Sequence, residues 1–217
     1  MDPRGFRFPA AGLAWLVLRT AACAAIVLAG CRAYVASWAH LKAMARAQLL
    51  VEDLTPNVGL CWYFFASVFP RFQSFFRVLL LSHPYLHVLP ATVRLGMYPD
   101  TLAHLLLTIF GIFKPYPTLG DLVLTGCLFS MHPRTVARMR LVGPVLMALG
   151  LPTLLLPTMR HLWLQAGTGN ANFMFFQTLF YSALHSALVL QFAAAAVRRR
   201  KALAEAMAGL VGGGHGK

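Results

Sequence analysis

The interval from His161 to Val197 contains no Lys, Arg, Asp or Glu, and this limits the possible fold of the chain more than any other feature. It ends in a basic run, Arg198 to Lys201. An ionisable group at the centre of a bilayer costs about 3 kcal/mol on insertion scales, so long charge-free intervals mark membrane spans. Since a spanning helix needs about 20 residues, the interval predicts one full membrane helix near residues 173–197, preceded by a non-helical stretch.

The composition of the whole chain fits a membrane protein. Hydrophobic residues make up 59% of the sequence and charged residues 12%, whereas about 25% of residues are charged in soluble domains. A second clear span runs from Leu141 to Met159 between two arginines. Further candidate spans lie near residues 10–31, 58–81, 84–97, 100–114 and 118–133. We therefore predict an all-α fold, a polytopic membrane helix bundle with broken helices and about five to seven spans.

The positive charge of the chain favours a membrane over nucleic acid as its partner. The 19 Lys and Arg residues outnumber six Asp and Glu, but they fall mostly at the ends of apolar runs and form no solvated stripe. In a membrane protein such cations act as topology signals and contact lipid head groups. By the positive-inside rule, the cluster from Arg198 to Lys201 is expected to face the cytosol.

The sequence divides into three parts. Residues 1–50 are expected to form an apolar helix followed by a basic amphipathic segment that contains Lys42 and Arg46. Residues 51–201 hold most of the predicted spans. Residues 202–217, which end in a glycine-rich stretch, are expected to be a disordered tail.

The sequence offers no catalytic or metal-binding constellation. His83 and His87 have the spacing that puts two metal ligands on one helix face, but no third ligand is near. Four cysteines lack the CxxC spacing, and each lies in an apolar run: Cys23, Cys31, Cys61 and Cys127. No nucleophile elbow, phosphate-binding loop or HExxH motif is present. We therefore predict no metal, no cofactor and no catalytic residue.

Three polar stretches interrupt the apolar runs. The first stretch is residues 51–60 (VEDLTPNVGL), the second stretch is residues 113–121 (FKPYPTLGD), and the third stretch is residues 161–173 (HLWLQAGTGNANF). Irregular backbone at membrane depth is tolerated only where it is buried in protein or lines a cavity. Each stretch is therefore either an ordinary interhelical loop with turn residues or part of a cavity whose mouth binds the polar head of a lipid-like ligand.

Individual side chains in or next to these stretches suggest particular roles. Trp62 and Tyr63, after the first stretch, suit the head-group belt. In the second stretch, Lys114 and Asp121 are close enough to compensate each other's charge, two prolines break the helix, and Thr118 can cap the next one. In the third stretch, two glycines release the backbone from the helix. Asn170 or Asn172 at a helix N-terminus would offer neutral hydrogen bonds to a phosphate or a sugar.

In this order and at these separations, "DLTPNVGLCWYFF", "IFKPYPTLGD" and "HLWLQAGTGNANF" resemble subunit U of the glycosylphosphatidylinositol (GPI) transamidase, the PIG-U family. The resemblance covers about residues 51–201 and corresponds to the C-terminal half of the family. It implies a multi-pass subunit of the endoplasmic reticulum membrane whose fold resembles the C-terminal part of a mannosyltransferase-like membrane fold. The family's N-terminal half has no counterpart here, so either the gene product is shortened or a partner completes the fold.

The resemblance also implies a function. The chain would be a non-catalytic subunit that helps bind or present the GPI lipid, while another subunit performs the transamidation. The implied partners are the cysteine-protease-like catalytic subunit K, subunits T and S, the GPI attachment subunit, the GPI lipid and the membrane. The motif positions that carry over as candidate ligand- or helix-binding residues are Asp53, Asn57, Lys114, Tyr116, Asp121, His161, Trp163, Gly167, Asn170, Asn172 and Phe173.

Two other functions remain open from the sequence. A glycosyltransferase that acts on a lipid-linked sugar would need a lumenal carboxylate as base or metal ligand, and Glu52-Asp53 is the one paired site. A transporter would also use broken helices, but the chain shows no internal repeat.

Overall fold

The computed structural model describes residues 10–96 and 98–213, and every regular element in those ranges is helical. The elements in chain order are α1 (Ala10–Val35), α2 (Ala39–Leu50), α3 (Cys61–Ser67), α4 (Pro70–Ser82), a 3-10 helix (His83–His87), α5 (Val88–Leu95), α6 (Pro99–Phe113), α7 (Leu119–Ser130), α8 (Pro133–Val136), α9 (Val142–Leu164) and α10 (Ala171–Gly213). The predicted all-α fold is confirmed. The chain divides into two compact units, residues 1–47 and 48–217.

The first unit consists of α1 and most of α2. Within α1, the segment Leu18–Val35 is long and apolar enough to cross a membrane. Ala36 has a left-handed backbone (φ 55°) and breaks the helix before α2 begins. The helix α2 carries Lys42 and Arg46 and buries none of its residues.

Three helices of the described residues are long and apolar enough to cross a membrane: Leu18–Val35, Val142–Leu164 and Ala171–Gly209. The number of helices that are long enough to span a membrane is therefore lower than the predicted five to seven. A helix rises about 1.5 Å per residue, so α6 and α7, with 15 and 12 residues, are shorter than the hydrocarbon core of about 30 Å. The candidate span near residues 58–81 is divided before Pro70, where α4 begins.

The helix α10 is the centre of the second unit. Its buried Leu188 and Phe192 pack with Phe129 of α7 and Leu149 of α9 in one apolar cluster. On another side, its Val189 packs with residues of α5 and α6: Ala91, Leu95, Leu105, Ile109 and Ile112. Burial of apolar side chains on several faces explains why the part of α10 before Arg198 is mostly apolar and carries no charge.

A buried polar contact also fastens α10 to α7. The Thr125 hydroxyl lies 2.9 Å from the carbonyl oxygen of Asp121 and 2.9 Å from Nε2 of His185. The hydroxyl has one proton, which it donates to the carbonyl oxygen, so Nε2 of His185 must donate to the hydroxyl oxygen. The contact satisfies both buried side chains between the two helices.

Two boundaries differ from the sequence-based expectation. The helix α9 continues to Leu164, so it includes the first four residues of the third stretch. Only residues 165–170 of that stretch are irregular. The helix α10 continues to Gly213, so the predicted disordered tail is wrong for residues 202–213. Alanine, leucine, glutamate and methionine fill much of this segment, and all four are strong helix formers. Residues 214–217 lie outside the described residues.

The three irregular stretches lie at one end of the second unit, and a group of arginines that includes Arg94, Arg138 and Arg198 to Arg200 lies at the other. At the arginine end, Arg198 donates to the carbonyl oxygen of Arg138 at 3.0 Å, and Arg199 donates to Oγ1 of Thr135 at 3.3 Å. From Ala171 to Arg198, α10 is about 40 Å long at 1.5 Å per residue. A bilayer with its head groups is about 40–45 Å thick, so the two ends belong to opposite membrane faces.

Candidate functional site

The structure brings the three polar stretches together. The first stretch contacts the second directly, and Trp62 and Tyr63, which follow the first stretch, contact the third. The phenol of Tyr63 donates to Oδ1 of Asn172 at 2.5 Å. Its ring is stacked on Phe175, with the ring centroids 4.0 Å apart and the planes 12° from parallel.

Trp62 makes the second contact between the same two regions. Its ring is stacked on Trp163, with the centroids 5.9 Å apart. Trp62 is only 3% exposed and packs with Leu156 and Met174. The expectation that Trp62 lies in the head-group belt is therefore wrong, because helices α9 and α10 cover it with protein. Its indole Nε1 is buried without a hydrogen-bond partner among the described residues.

The first stretch meets the second through Tyr116 and Pro117. The main-chain N–H of Asp53 donates to the hydroxyl oxygen of Tyr116 at 3.2 Å. The backbone of Gly59 passes so close to the proline ring that a Cβ at this position would lie 2.5 Å from Cδ of Pro117. A larger residue at position 59 would force the two stretches apart.

The polar side chains of the first stretch fold the loop onto itself. Oδ1 of Asp53 accepts hydrogen bonds from the main-chain N–H and the hydroxyl of Thr55, at 2.8 and 2.5 Å. The hydroxyl bond is the larger cause, and the N–H bond the second, of a pKa for Asp53 below the usual value. Oδ1 of Asn57 accepts the N–H of Gly59 at 2.7 Å. The carboxylate on which the glycosyltransferase alternative depends is thus engaged in holding its own loop.

The second stretch contains the ion pair that its spacing predicts. Nζ of Lys114 lies 2.8 Å from Oδ1 of Asp121, and Oδ2 of the same carboxylate accepts the N–H of Thr118 at 2.7 Å. The helix α6 ends at Phe113 and α7 starts at Leu119, so the predicted break is confirmed. Burial alone raises the pKa of Asp121, but the hydrogen bonds from Lys114 and Thr118 outweigh it and leave the pKa below its usual value.

The third stretch reverses the chain between α9 and α10. Gly167 has φ +65°, a left-handed conformation that glycine adopts without strain. Oδ1 of Asn170 accepts the N–H groups of Asn172 and Phe173, at 2.9 and 3.3 Å, and so caps α10. His161 is exposed, and its Nδ1 lies 2.5 Å from Oε1 of Gln165. Among the described residues, His161, Gly167 and Phe173 form no hydrogen bond or ring contact with the other two stretches.

A cavity of about 270 Å³ lies beside this junction. Its lining combines residues from or adjacent to all three stretches: Leu60, Cys61, Phe64, Leu80, His83, Ile112, Phe113, Lys114 and Phe175. Most of these side chains are apolar, and Lys114 is the one with a permanent charge. We define this space as the junction cavity.

Most of the cavity's apolar lining could not be predicted from the sequence. Phe64, Leu80 and Phe175 lie on helices α3, α4 and α10, and an apolar residue on a predicted helix gives no signal that separates a cavity wall from ordinary core. His83, whose spacing to His87 fits a metal pair that lacks a third ligand, lies against the rings of His87 and Phe113, at centroid distances of 5.2 and 4.6 Å. Across residues 10–96 and 98–213, no group of three or more His, Cys, Asp or Glu could hold a metal ion.

The spans, the broken helices and the junction of polar loops at one membrane face define a multi-pass α-helical membrane protein. Within that class, the chain belongs to the PIG-U family: the family described as "GPI transamidase subunit PIG-U" matches residues 2–181. The match begins at residue 2, so it also takes in most of the first 50 residues, in which the sequence analysis placed no motif.

Curated relatives agree with this assignment. The chain is 33% identical over 165 residues to "GPI-anchor transamidase component PIGU" of Cricetulus griseus, which covers 76% of this chain and 38% of the relative. It is 32% identical to the Homo sapiens protein of the same name, with the same coverage of both chains. It is 34% identical over 157 residues to "GPI transamidase component GAB1" of Saccharomyces cerevisiae, covering 70% of this chain and 39% of the relative. The chain therefore spans about two fifths of the length of the curated relatives that it matches.

Proposed function

We propose that this chain is a membrane subunit of the GPI transamidase that holds the GPI lipid at the junction cavity, while another subunit carries out catalysis. The family and the printed names of the relatives support a role in that complex. On this proposal the chain acts in the endoplasmic reticulum membrane, and its protein partners are the catalytic subunit K, subunits T and S, and the GPI attachment subunit.

The observation that carries the proposal is the composition of the junction cavity. Its apolar walls suit an acyl chain, and its one permanent cation suits a phosphate. The ammonium group of Lys114 has three N–H donors, and the side chain is 36% exposed although it is paired with Asp121. Donors therefore remain for a lipid phosphate that lies near the rim of the cavity.

Asn170 and Asn172 have a different role in this account. Their side-chain oxygens already accept hydrogen bonds from the start of α10 and from Tyr63. They shape the loop that closes the junction, and the side-chain N–H groups of both amides remain available to a sugar or a phosphate of the ligand. The proposal thus assigns the cation and the apolar lining to the lipid, and the two amides to loop shape and hydrogen bonding.

The test must separate lipid binding from stability, because Lys114 and Asp121 stabilise each other. Removal of one partner leaves the other charge uncompensated, so Asp121→Asn alone should lower the amount of assembled complex. The pair Lys114→Gln with Asp121→Asn replaces both ions by neutral groups that can still hydrogen-bond. We expect this double variant to recover assembly, since no lone charge remains.

The readout is surface GPI-anchored protein, measured together with assembled complex in cells that carry the changes at the chain's own locus. We expect the double variant to assemble but to reduce surface anchoring severalfold, because the cation at the cavity is gone. Arg160→Gln, which removes an exposed cation from α9 near the same membrane face, is the control and should leave anchoring unchanged. Normal anchoring in the double variant would show that the pair serves stability alone and would refute the lipid contact.

A further inference from the structure

A second cavity of the described residues is larger than the junction cavity and extends from beside it toward the arginine end of the second unit. It has a volume of about 540 Å³ and is a groove between α5, α6 and α10. Apolar side chains form most of its walls, among them Leu95, Leu105, Ile109, Val189, Ala193 and Val197. We define this space as the arginine groove, because Arg94, near the end of α5, and Arg198 of α10 both line it.

The length of the arginine groove matches one leaflet of a bilayer. Along α10 its lining extends from Val189 to Arg198, which is about 14 Å at 1.5 Å per residue. The hydrocarbon core of a bilayer is about 30 Å thick, so one leaflet contributes about 15 Å. A chain that enters at the level of the arginines would therefore fill the groove and end near the bilayer midplane.

The charge at the mouth of the groove selects an anion. Arg94 and Arg198 are both exposed, and within the described ranges neither has a carboxylate at ion-pair distance. One nitrogen of Arg198 donates to the carbonyl oxygen of Arg138 at 3.0 Å, which leaves other N–H donors of the guanidinium free. Guanidinium groups bind phosphate through paired hydrogen bonds, so two of them at the mouth favour a phosphate there.

We propose that the arginine groove binds one acyl chain of an anionic glycerophospholipid, with the lipid phosphate held by Arg94 and Arg198. Two small residues of α10, Ala193 and Ala194, leave the room that the chain occupies. The lipid belongs to the leaflet on the arginine side, which the positive-inside rule assigns to the cytosol. That leaflet carries the anionic lipids of the membrane surface, so the ligand is present where the groove opens.

The polar ends of this site and of the one proposed for the GPI lipid lie far apart. Lys114 lies at the end of the protein where α10 begins, and Arg198 lies about 40 Å along α10 from that beginning. The inner ends of the two spaces are neighbours, because the ring of His87, which lines the groove, lies 5.2 Å from the ring of His83 at the junction cavity. We therefore distinguish the two sites by the membrane face at which the head group of the lipid is held.

Native mass spectrometry of the full chain, purified in mild detergent with the complex in which it assembles, tests the proposal. The added probes are phosphatidylserine and phosphatidylcholine with identical acyl chains. We expect the wild type to retain phosphatidylserine preferentially. Arg94→Gln with Arg198→Gln should weaken its binding at least tenfold, since each cation near an anionic lipid contributes about a factor of five. Ala194→Phe should also abolish retention, because it fills the groove while it keeps both arginines.

The matched control is Arg140→Gln with Lys201→Gln, which removes the same charge from exposed positions outside the groove. It should bind phosphatidylserine like the wild type. Equal loss in the control, equal retention of both lipids by the wild type, or unchanged binding in Ala194→Phe would each overturn the proposal.

A crosslinking experiment identifies the occupant directly. A photoreactive leucine analogue in place of Leu105, which lines the groove and keeps about the same side-chain volume, should crosslink to phospholipid in the assembled complex. A crosslink to another polypeptide instead would show that a protein helix covers the groove, and the lipid proposal would be abandoned.

Discussion

The phenol of Tyr63 donates a hydrogen bond to Oδ1 of Asn172 at 2.5 Å, across 109 positions of the chain. The bond joins the beginning of α3 to the beginning of α10 and so fixes the loop between α9 and α10 against the first stretch. Together with the stacked rings of Tyr63 and Phe175, it makes the junction one packed unit rather than three separate loops.

Loss of this hydrogen bond should lower the free energy of unfolding without a large structural change. Tyr63→Phe and Asn172→Ala should each cost about 1 kcal/mol, and the double variant should cost about as much as either single one, because both remove the same bond. Denaturant titration in detergent micelles measures these free energies. Tyr85→Phe, which removes an exposed phenol from the 3-10 helix, is the matched control and should be neutral. Additive losses would contradict the contact.

A methyl group at Gly59 should separate the first and second stretches. A Cβ there would lie 2.5 and 2.7 Å from two carbons of the rigid Pro117 ring, so Gly59→Ala should destabilise the protein by about 1–3 kcal/mol. Gly126→Ala in α7 is the control, since no atom outside the local backbone of its own helix and its two chain neighbours lies within 4 Å of its added Cβ. The midpoint of thermal unfolding should fall only for position 59. Similar midpoints for the two variants would show that the backbone of Gly59 does not approach the proline as described.

Asn170 should be replaceable by another capping residue if its role is to start α10. Asn170→Ala removes the acceptor for two N–H groups and should cost about 1 kcal/mol, whereas Asn170→Ser should restore most of the loss. The free energy of unfolding tests the cap, and surface anchoring tests the ligand. A stable Asn170→Ser variant with impaired anchoring would show that the amide N–H groups contact the GPI lipid. Equal destabilisation by Ala and Ser would refute the capping role.

The sequence predicts the parts of this fold that depend on local chemistry. The absence of charge between His161 and Val197 located α10, and the arginines that flank residues 141–159 located α9, because the bilayer penalises charge wherever it occurs. The seven-residue spacing of Lys114 and Asp121, with two prolines between them, predicted both the break and the ion pair. These features require no knowledge of how distant segments pack.

The features that the sequence did not predict depend on tertiary packing. Tryptophan is typical of the head-group region of a membrane. Only the packing of Trp62 against Trp163, a residue far away in the sequence, buries it inside the protein. The walls of the junction cavity come from α3, α4, α6 and α10, whose relative placement no local pattern specifies. Residues 202–217 were predicted to be disordered because they end in several glycines. The helix-forming residues that precede these glycines instead continue α10 to Gly213.

The orientation of the second unit in the membrane should follow its arginines. A glycosylation acceptor fused after residue 217 should remain unmodified in microsomes, because the positive-inside rule places the arginine end in the cytosol. An acceptor inserted in the loop of residues 165–170 should be modified, since this loop lies at the other end of α9 and α10. Modification of the first acceptor and not of the second would reverse the orientation and place the junction cavity in the cytosolic leaflet.

The most direct test of the proposed function is crosslinking of a radiolabelled GPI precursor to the junction cavity of the assembled complex. A photoreactive phenylalanine analogue at position 175 lines that cavity, and a photoreactive leucine analogue at position 105 lines the arginine groove. We predict a GPI crosslink at position 175 and none at position 105. Absence of a GPI crosslink at position 175 in a complex that still anchors proteins, or a GPI crosslink confined to position 105, would contradict the account.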